Sequence, residues 1–174
     1  MGFYSEVIFP RPCDLLMDRP FVAKHRQRLL ATAYGDVLEI GFGTGLNLHH
    51  YPAQVRKITT VDPNAGMHRL AQKRIRRSKI EVDQRILSGE RLPFEDDLFD
   101  CAVSTFTLCS IEDVGQALSE MYRVLSPGGK LLIFDSFDTG FLAEQLRAAG
   151  AKEVTLSPWS FPALIPHRTL CAGK

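Results

Sequence analysis

The sequence predicts a doubly wound α/β fold, a mostly parallel sheet with helices packed on both faces. Three observations predict it. Short, partly β-branched apolar runs alternate with longer stretches of helical period. The first run leads straight into a glycine-rich loop, and the second ends on an acidic residue about 20 positions further on. With 174 residues, 45% hydrophobic and 24% charged, the chain can bury one sizeable core. It reads as a single domain over 1–174, with 1–34 as an N-terminal lid or helical segment and 35–174 as the core.

In chain order, Pro20 to Ala33 reads as a helix with proline in its first turn, where the missing N–H costs nothing. Strand one is Asp36 to Ile40 and strand two Lys57 to Val61, which stops at Asp62. A third strand lies near Ile80 to Leu87 and a fourth at Phe99 to Thr105. The turn Pro127-Gly128-Gly129 introduces a fifth, Lys130 to Phe134. Between the fourth and fifth, Val114, Ala117, Leu118, Met121, Val124 and Leu125 repeat at helical spacing, a core-facing stripe. A helix over Phe141 to Ala149 is closed by Gly150, and two more strands follow at Lys152 to Leu156 and His167 to Ala172.

Composition excludes several functions. A net charge of +1 offers no global field to concentrate nucleic acid or an anionic membrane. No apolar run reaches the roughly 18 residues that span a bilayer, and Met1 to Arg11 lacks the order of a signal peptide, so a cytoplasmic location is expected. Cys13, Cys101, Cys109 and Cys171 show no metal-ligand spacing and no disulfide framework; reduced thiols and no metal site are expected. The one basic cluster, Lys73 to Lys79, closes a helix, where cations are favoured; contact with RNA or acidic headgroups is the alternative.

Gly41, Gly43 and Gly45, interleaved with Phe42 and Thr44, join strand one to what reads as a helix, and alternate glycines let a ligand lie almost on the backbone. The dinucleotide fingerprint wants a glycine where this chain has Leu46, so the pyrophosphate motif is incomplete and a nucleotide-linked oxidoreductase is disfavoured. Asp62, ending strand two, can accept both hydroxyls of a ribose. A nucleoside cofactor without a pyrophosphate fits both features.

Glu39 to Gly45 resembles the first motif of class I S-adenosylmethionine-dependent methyltransferases, and Val61 to Met67 resembles their second. Leu92-Pro93-Phe94, Phe99-Asp100 and Arg123 to Gly129 are similar to the later landmarks, in order. The likeness covers about residues 36 to 135 and is closest to the type 11 methyltransferase domain. A narrower likeness to the methyltransferase-like thiol methyltransferases lies in Asp62-Pro63-Asn64, Leu108-Cys109-Ser110 and Pro166-His167.

The resemblance implies a Rossmann-like methyltransferase fold with a seven-stranded, mostly parallel sheet whose strand seven is antiparallel. It implies that the backbone of Gly41, Phe42, Gly43, Thr44 and Gly45 surrounds the methionine part of S-adenosyl-L-methionine and that Asp62, followed by Pro63, holds the ribose. Met67 is expected over an adenine face, Ser88, Gly89 and Glu90 along its edge, and Thr105 and Phe106 beside the methionine and the transferable methyl. Where many relatives have Asp, this chain has Ser88, a neutral and therefore weaker acceptor for the adenine amino group, so that either cofactor affinity is lower or Glu90 compensates. Each residue also has a plainer reading. Asp62 can cap a helix, Met67 and Phe106 can be core, and Ser88 and Glu90 can be ordinary loop residues.

Activity is expected to be in-line methyl transfer to a small-molecule thiol, amine or oxygen acceptor, with S-adenosyl-L-homocysteine as product; the alternative is a non-catalytic S-adenosylmethionine-binding regulatory or partner protein. Ser104 to Thr107 carries none of the motifs for methylation of planar nitrogens or base carbons, and Pro12-Cys13 precedes strand one, so nucleic acid is not an expected partner. The segment Ser157 to Pro166 is expected over the site, with Trp159 and Phe161 walling an acceptor pocket and His167 as a base or orienting group, or else as a solvated side chain at the sheet edge. His49 and His50 are lesser candidates. Only about five residues, Asp135 to Thr139, separate strand five from the next helix, where many relatives insert a substrate-binding subdomain. Phe3, Tyr4 and Phe9 are therefore candidate lid residues over a small pocket; otherwise the pocket is open and completed by a second copy, a partner chain or a large substrate.

Overall fold

The computed structural model describes residues 14–15, 17–135, 139–151, 153–160 and 166–173, with Thr139 and the last two strands described by their backbone. In chain order these are α1 (Pro20–Leu30), β1 (Gly35–Ile40), β2 (Val55–Val61), α2 (Ala65–Ile75), β3 (Glu81–Arg85), β4 (Phe99–Thr105), α3 (Val114–Arg123), β5 (Leu125–Asp135), α4 (Thr139–Ala148), β6 (Glu153–Ser160) and β7 (Pro166–Gly173). The seven strands form one sheet in the order β3-β2-β1-β4-β5-β7-β6. β1 to β5 pair in parallel, and β7 runs antiparallel between β5 and β6. The order reverses beside β1, so the crevice at the carboxyl ends of β1 and β4 is the place where such sheets bind ligands.

Strand alternation divides the core in two. In β5, Leu131 and Ile133 join Leu118, Met121, Leu142 and Leu146 beneath α3 and α4, whereas Leu132 and Phe134 face Leu29, Leu30, Val37 and Ile58 on the side of α1. All four β5 side chains are essentially inaccessible, and each contributes roughly 1.5–3 kcal/mol of burial. In α1, Val22, His25, Arg26, Leu29 and Leu30 form the inward stripe at i, i+3, i+4, i+7 and i+8. The landmarks Leu92-Pro93-Phe94 and Arg123 meet physically: Arg123 donates to the carbonyls of Phe94 at 2.9 Å and Leu92 at 3.0 Å, and Glu120 accepts the Leu92 amide at 2.8 Å.

Four expectations need correction. The glycine loop leads not into an α-helix but into one turn of 3-10 helix, Leu48–His50, because Pro52 follows at once and holds Tyr51 in an extended conformation (ψ 134°). The α3 helix ends with Arg123; Val124 is its C-cap and Leu125 already pairs with Phe99, both still buried in the core. The strand therefore starts before Pro127-Gly128-Gly129, with a register shift where Lys130 pairs with Cys101. Finally, β6 continues to Ser160, so Ser157 to Ser160 belong to a strand rather than a loop. Pro158 is tolerated there because β6 is an edge strand. Phe3, Tyr4, Phe9, Cys13 and Phe161 lie outside the described residues.

Candidate functional site

Gly41, Gly43 and Gly45 all have left-handed φ, at 76°, 56° and 81°, a region that glycine enters without a Cβ penalty. Their surroundings separate their roles. A Cβ on Gly41 would collide with the Thr107 Oγ1, so this glycine exists for close packing against the chain after β4. A Cβ on Gly43 would meet nothing within 4 Å. Gly43 thus has an open α-carbon in the crevice, a cradle that a side chain would fill and a ligand can approach.

Asp62, 7% exposed, ties this loop to the next element. Its Oδ2 accepts the Gly43 amide and its Oδ1 accepts the Asn64 amide, each at 2.8 Å, while the Asn64 side chain caps α2 through the Gly66 and Met67 amides. The helix cap is therefore Asn64, not Asp62. Each carboxylate oxygen has a second lone pair, so Asp62 can hold the loop and still accept two hydroxyls. Met67, in the first turn of α2, is buried. Gly89 presses on the end of β1, a Cβ there falling 2.8 Å from Ile40 Cγ2. The Ser88 hydroxyl donates to Glu90 at 2.7 Å, and Glu90 also accepts the Asp113 amide at 2.8 Å. The Ser88 hydroxyl, foremost, holds the Glu90 carboxyl below its ordinary range.

Beneath the loop lies a polar cluster that sequence reasoning missed. Glu39, 1% exposed, accepts from Asn47 Nδ2 and from the Tyr51 hydroxyl, each at 2.7 Å. Arg26, 5% exposed, donates to Asn47 Oδ1 at 2.7 Å and to Thr105 Oγ1 at 2.9 Å. Burial pushes the Glu39 carboxyl up to about 7, against the opposing pull of the Tyr51 and Asn47 bonds and of the Arg26 charge. The signals were present in the sequence. Glu39 interrupts an apolar strand, and Arg26 falls on the inward face that Val22, Leu29 and Leu30 define in α1.

Thr105 is thus spoken for by Arg26 and Asn47, and Phe106 follows at φ 55° with its ring 4.6 Å from that of Phe134. The Arg26 guanidinium lies 5.4 Å from the Phe106 ring centroid. On the outer side, the Thr44 hydroxyl donates to Asp14, and Arg74 bridges the Thr44 carbonyl at 3.0 Å and the Asp14 carboxylate at 3.0 Å. Arg74 therefore leaves the basic cluster to clamp the loop, while Lys73, Arg76, Arg77 and Lys79 remain exposed. His50 is half-buried beside His49, and burial lowers its imidazole to about 4. Trp159 and His167 are paired across β6 and β7, at the carboxyl edge of the sheet. No metal-binding group of three or more ligands occurs among the described residues, and none of their helices is long and apolar enough to cross a membrane.

The profile of the methyltransferase-domain family, type 11, matches residues 38–133, more than half of the chain. The chain belongs to that family. It is 35% identical over 104 residues to the ubiquinone/menaquinone biosynthesis C-methyltransferase UbiE of Pectobacterium atrosepticum. That match takes in 57% of this chain and 41% of the relative, so the chain spans less than half the length of the curated relatives it matches. In fold it is similar to the methyltransferase solved with the Haloferax volcanii Trm112 methyltransferase activator (TM-score 0.80, 15% identity, 98% of this chain and 95% of the other). It is likewise similar to the Haemonchus contortus phosphoethanolamine N-methyltransferase 2 in complex with S-adenosyl-L-methionine (TM-score 0.77, 15% identity, 96% and 56%).

The Haemonchus enzyme was solved with S-adenosyl-L-methionine, and the residues present in this chain fit that cofactor. Gly43 leaves open space at the loop, Asp62 retains acceptor capacity, and Arg26 brings a buried cation to the same end of the sheet.

Proposed function

We infer that this methyltransferase acts on a small-molecule acceptor, a thiol, amine or oxygen nucleophile, at the carboxyl ends of β1 and β4. The observation that carries this reading is the connection from β5 to α4, which runs only from Asp135 to Thr139. That connection has no room for a recognition subdomain, which leaves the N-terminal segment, the β6–β7 end, another chain or a large acceptor itself as candidates to complete the site. Homo-oligomerisation or a partner protein would serve the last case; the Haloferax methyltransferase was solved in complex with an activator.

S-adenosylmethionine supplies a methyl group already activated by its sulfonium. The chain's task is then to hold the two reactants in line and exclude water, and orientation of this kind is worth roughly 7–11 kcal/mol. Gly41 to Gly45 with the Gly43 cradle line the methionine part, and Asp62, with Pro63 behind it, accepts from the ribose hydroxyls. Arg26 attracts the carboxylate of the methionine end. Met67 covers an adenine face, Ser88 to Glu90 follow its edge, and Thr105 and Phe106 border the reacting end. A thiol acceptor, with an ordinary pKa near 8.5, gains from a base; His167, at the start of β7, is the candidate.

A carbon acceptor is the second reading, favoured by the likeness to a C-methyltransferase. The test is release of S-adenosylhomocysteine with a panel of thiols, amines, phenols and electron-rich aromatic carbons, alone and with added protein fractions. Turnover of the carbon class alone would replace the first reading with the second. Tight cofactor binding with turnover of none would favour a regulatory, non-catalytic role. Unchanged turnover of His167→Ala at every pH would remove His167 from the mechanism.

A further inference from the structure

Asp135 ends β5 and is 1% exposed. One of its oxygens, Oδ2, accepts both the Thr107 and the Leu108 amides at 2.8 Å. Those two residues directly follow Phe106, whose φ of 55° puts a bulky side chain in the left-handed region. Such a backbone is unfavourable and persists only where the surroundings over-determine it. Here it is fixed from both sides. The Phe106 amide donates to the Phe134 carbonyl at 2.8 Å, and the next two amides are taken by Asp135. The result is a half-buried Phe106 ring, edge-on to Phe134 with the Arg26 guanidinium over it, at the crevice where β1 and β4 end.

We propose that Asp135 is a positioning residue that, by holding the amides of Thr107 and Leu108, keeps Phe106 in its left-handed conformation and so sets the wall of the methyl-donor site. This rests on the reading that Phe106 borders the cofactor. A carboxyl oxygen is suited to the task because it can accept two amides at once, where a hydroxyl or a water would also bring hydrogens needing partners of their own. Glycine at position 106 would adopt the same φ without help, so the need for Asp135 should vanish with the phenylalanine.

The experiment is a double-mutant cycle on S-adenosylhomocysteine affinity, measured by calorimetry on the full chain well below its unfolding temperature, with the thermal midpoint of the free protein recorded for each variant. Asp135→Ala should weaken binding at least tenfold in the wild-type background and less than threefold in the Phe106→Gly background. A loss below threefold in the wild-type background, or the same loss in both, overturns the proposal, even if the midpoint falls. Should Asp135→Ala fail to fold, Asp135→Glu, which displaces the acceptor by one methylene, is held to the same two criteria. Asp62→Ala separates the two levels of inference. If it binds with wild-type affinity, the cofactor-site reading itself falls; if it binds weakly while the Asp135 cycle shows no coupling, only the positioning role falls.

Discussion

Replacing Glu39 by glutamine should abolish a pH dependence of stability that the wild-type chain carries at its centre. Burial raises the Glu39 carboxyl from an ordinary 4.5 to about 7 in the folded state, at about 1.4 kcal/mol per tenfold change in proton affinity. Between those two values the native chain holds a proton that the unfolded chain has released. Stability therefore falls as pH rises through the window. The contribution is fully present below about 4.5, is lost by about 7, and amounts to about 3 kcal/mol. For a chain of this length that corresponds to roughly 10 °C in thermal midpoint. In the Glu39→Gln variant the new amide keeps an acceptor for Asn47 Nδ2 and can donate to the Tyr51 oxygen, so the geometry is retained without the titration. The assay is the thermal midpoint of both chains from about pH 4.5 to 8, taken as a difference so that other carboxylates cancel. The wild type should lose ground from about pH 4.5 to about 7 and level off above that. A flat difference, or a wild type that gains with rising pH, would refute the assignment of Glu39 as a buried, protonatable member of the cluster.

Arg26→Met should cost roughly 1.5–3 kcal/mol of stability through its lost bonds to Asn47 and Thr105. It should also move the Glu39 transition to higher pH, because a nearby positive charge is removed; an unmoved transition would show the two groups to be uncoupled. Gly43→Ala and Gly41→Ala should part company. The first should lower stability by only about 1–2 kcal/mol for its left-handed backbone yet weaken S-adenosylmethionine binding more than about tenfold in calorimetry, since its methyl fills the open cradle. The second should destabilise the free chain by about 3 kcal/mol or more through collision with Thr107, with partial recovery in a Thr107→Gly background seen by denaturant titration. Asp62→Ala should weaken S-adenosylmethionine binding by about 1.5–3 kcal/mol, and undiminished affinity would remove Asp62 from the ribose site.

In the parallel half of the sheet, β1 and β4 were legible because each is a short apolar run with a polar boundary, and β4 lies where the pattern puts it, at Phe99–Thr105, whereas β3 holds Val82 as its one apolar residue. Local pattern failed where tertiary pairing decides. β6 runs on through Pro158 to Ser160 because β7 lies beside it over the whole length, a partnership no window of sequence contains. At the site, the glycines and Asp62 were readable from spacing, but the division of labour between Gly41 and Gly43 depends on Thr107, far along the chain. Arg26 was hidden for a different reason. It sits among Lys24 and Arg28 in a helix whose basic residues look alike until the inward face is assigned. Asp135 gave no signal, since an acidic residue closing a strand is ordinary and its role lies in two amides of another strand's loop.

The single 3-10 turn after the glycine loop has an electrostatic consequence. A long α-helix beginning at such a loop aligns its peptide dipoles and presents the equivalent of about half a positive charge, together with free amides, to whatever lies in the crevice; pyrophosphates bind there for that reason. Three residues, Leu48–His50, stack too few peptides to build that field, and the Gly43 amide is already given to Asp62. One amide that a pyrophosphate could use is thus already taken by a carboxylate, while the buried cation, Arg26, bonds Asn47 and Thr105 instead. The backbone of the first crossover therefore offers little of the anion-binding field that a pyrophosphate uses.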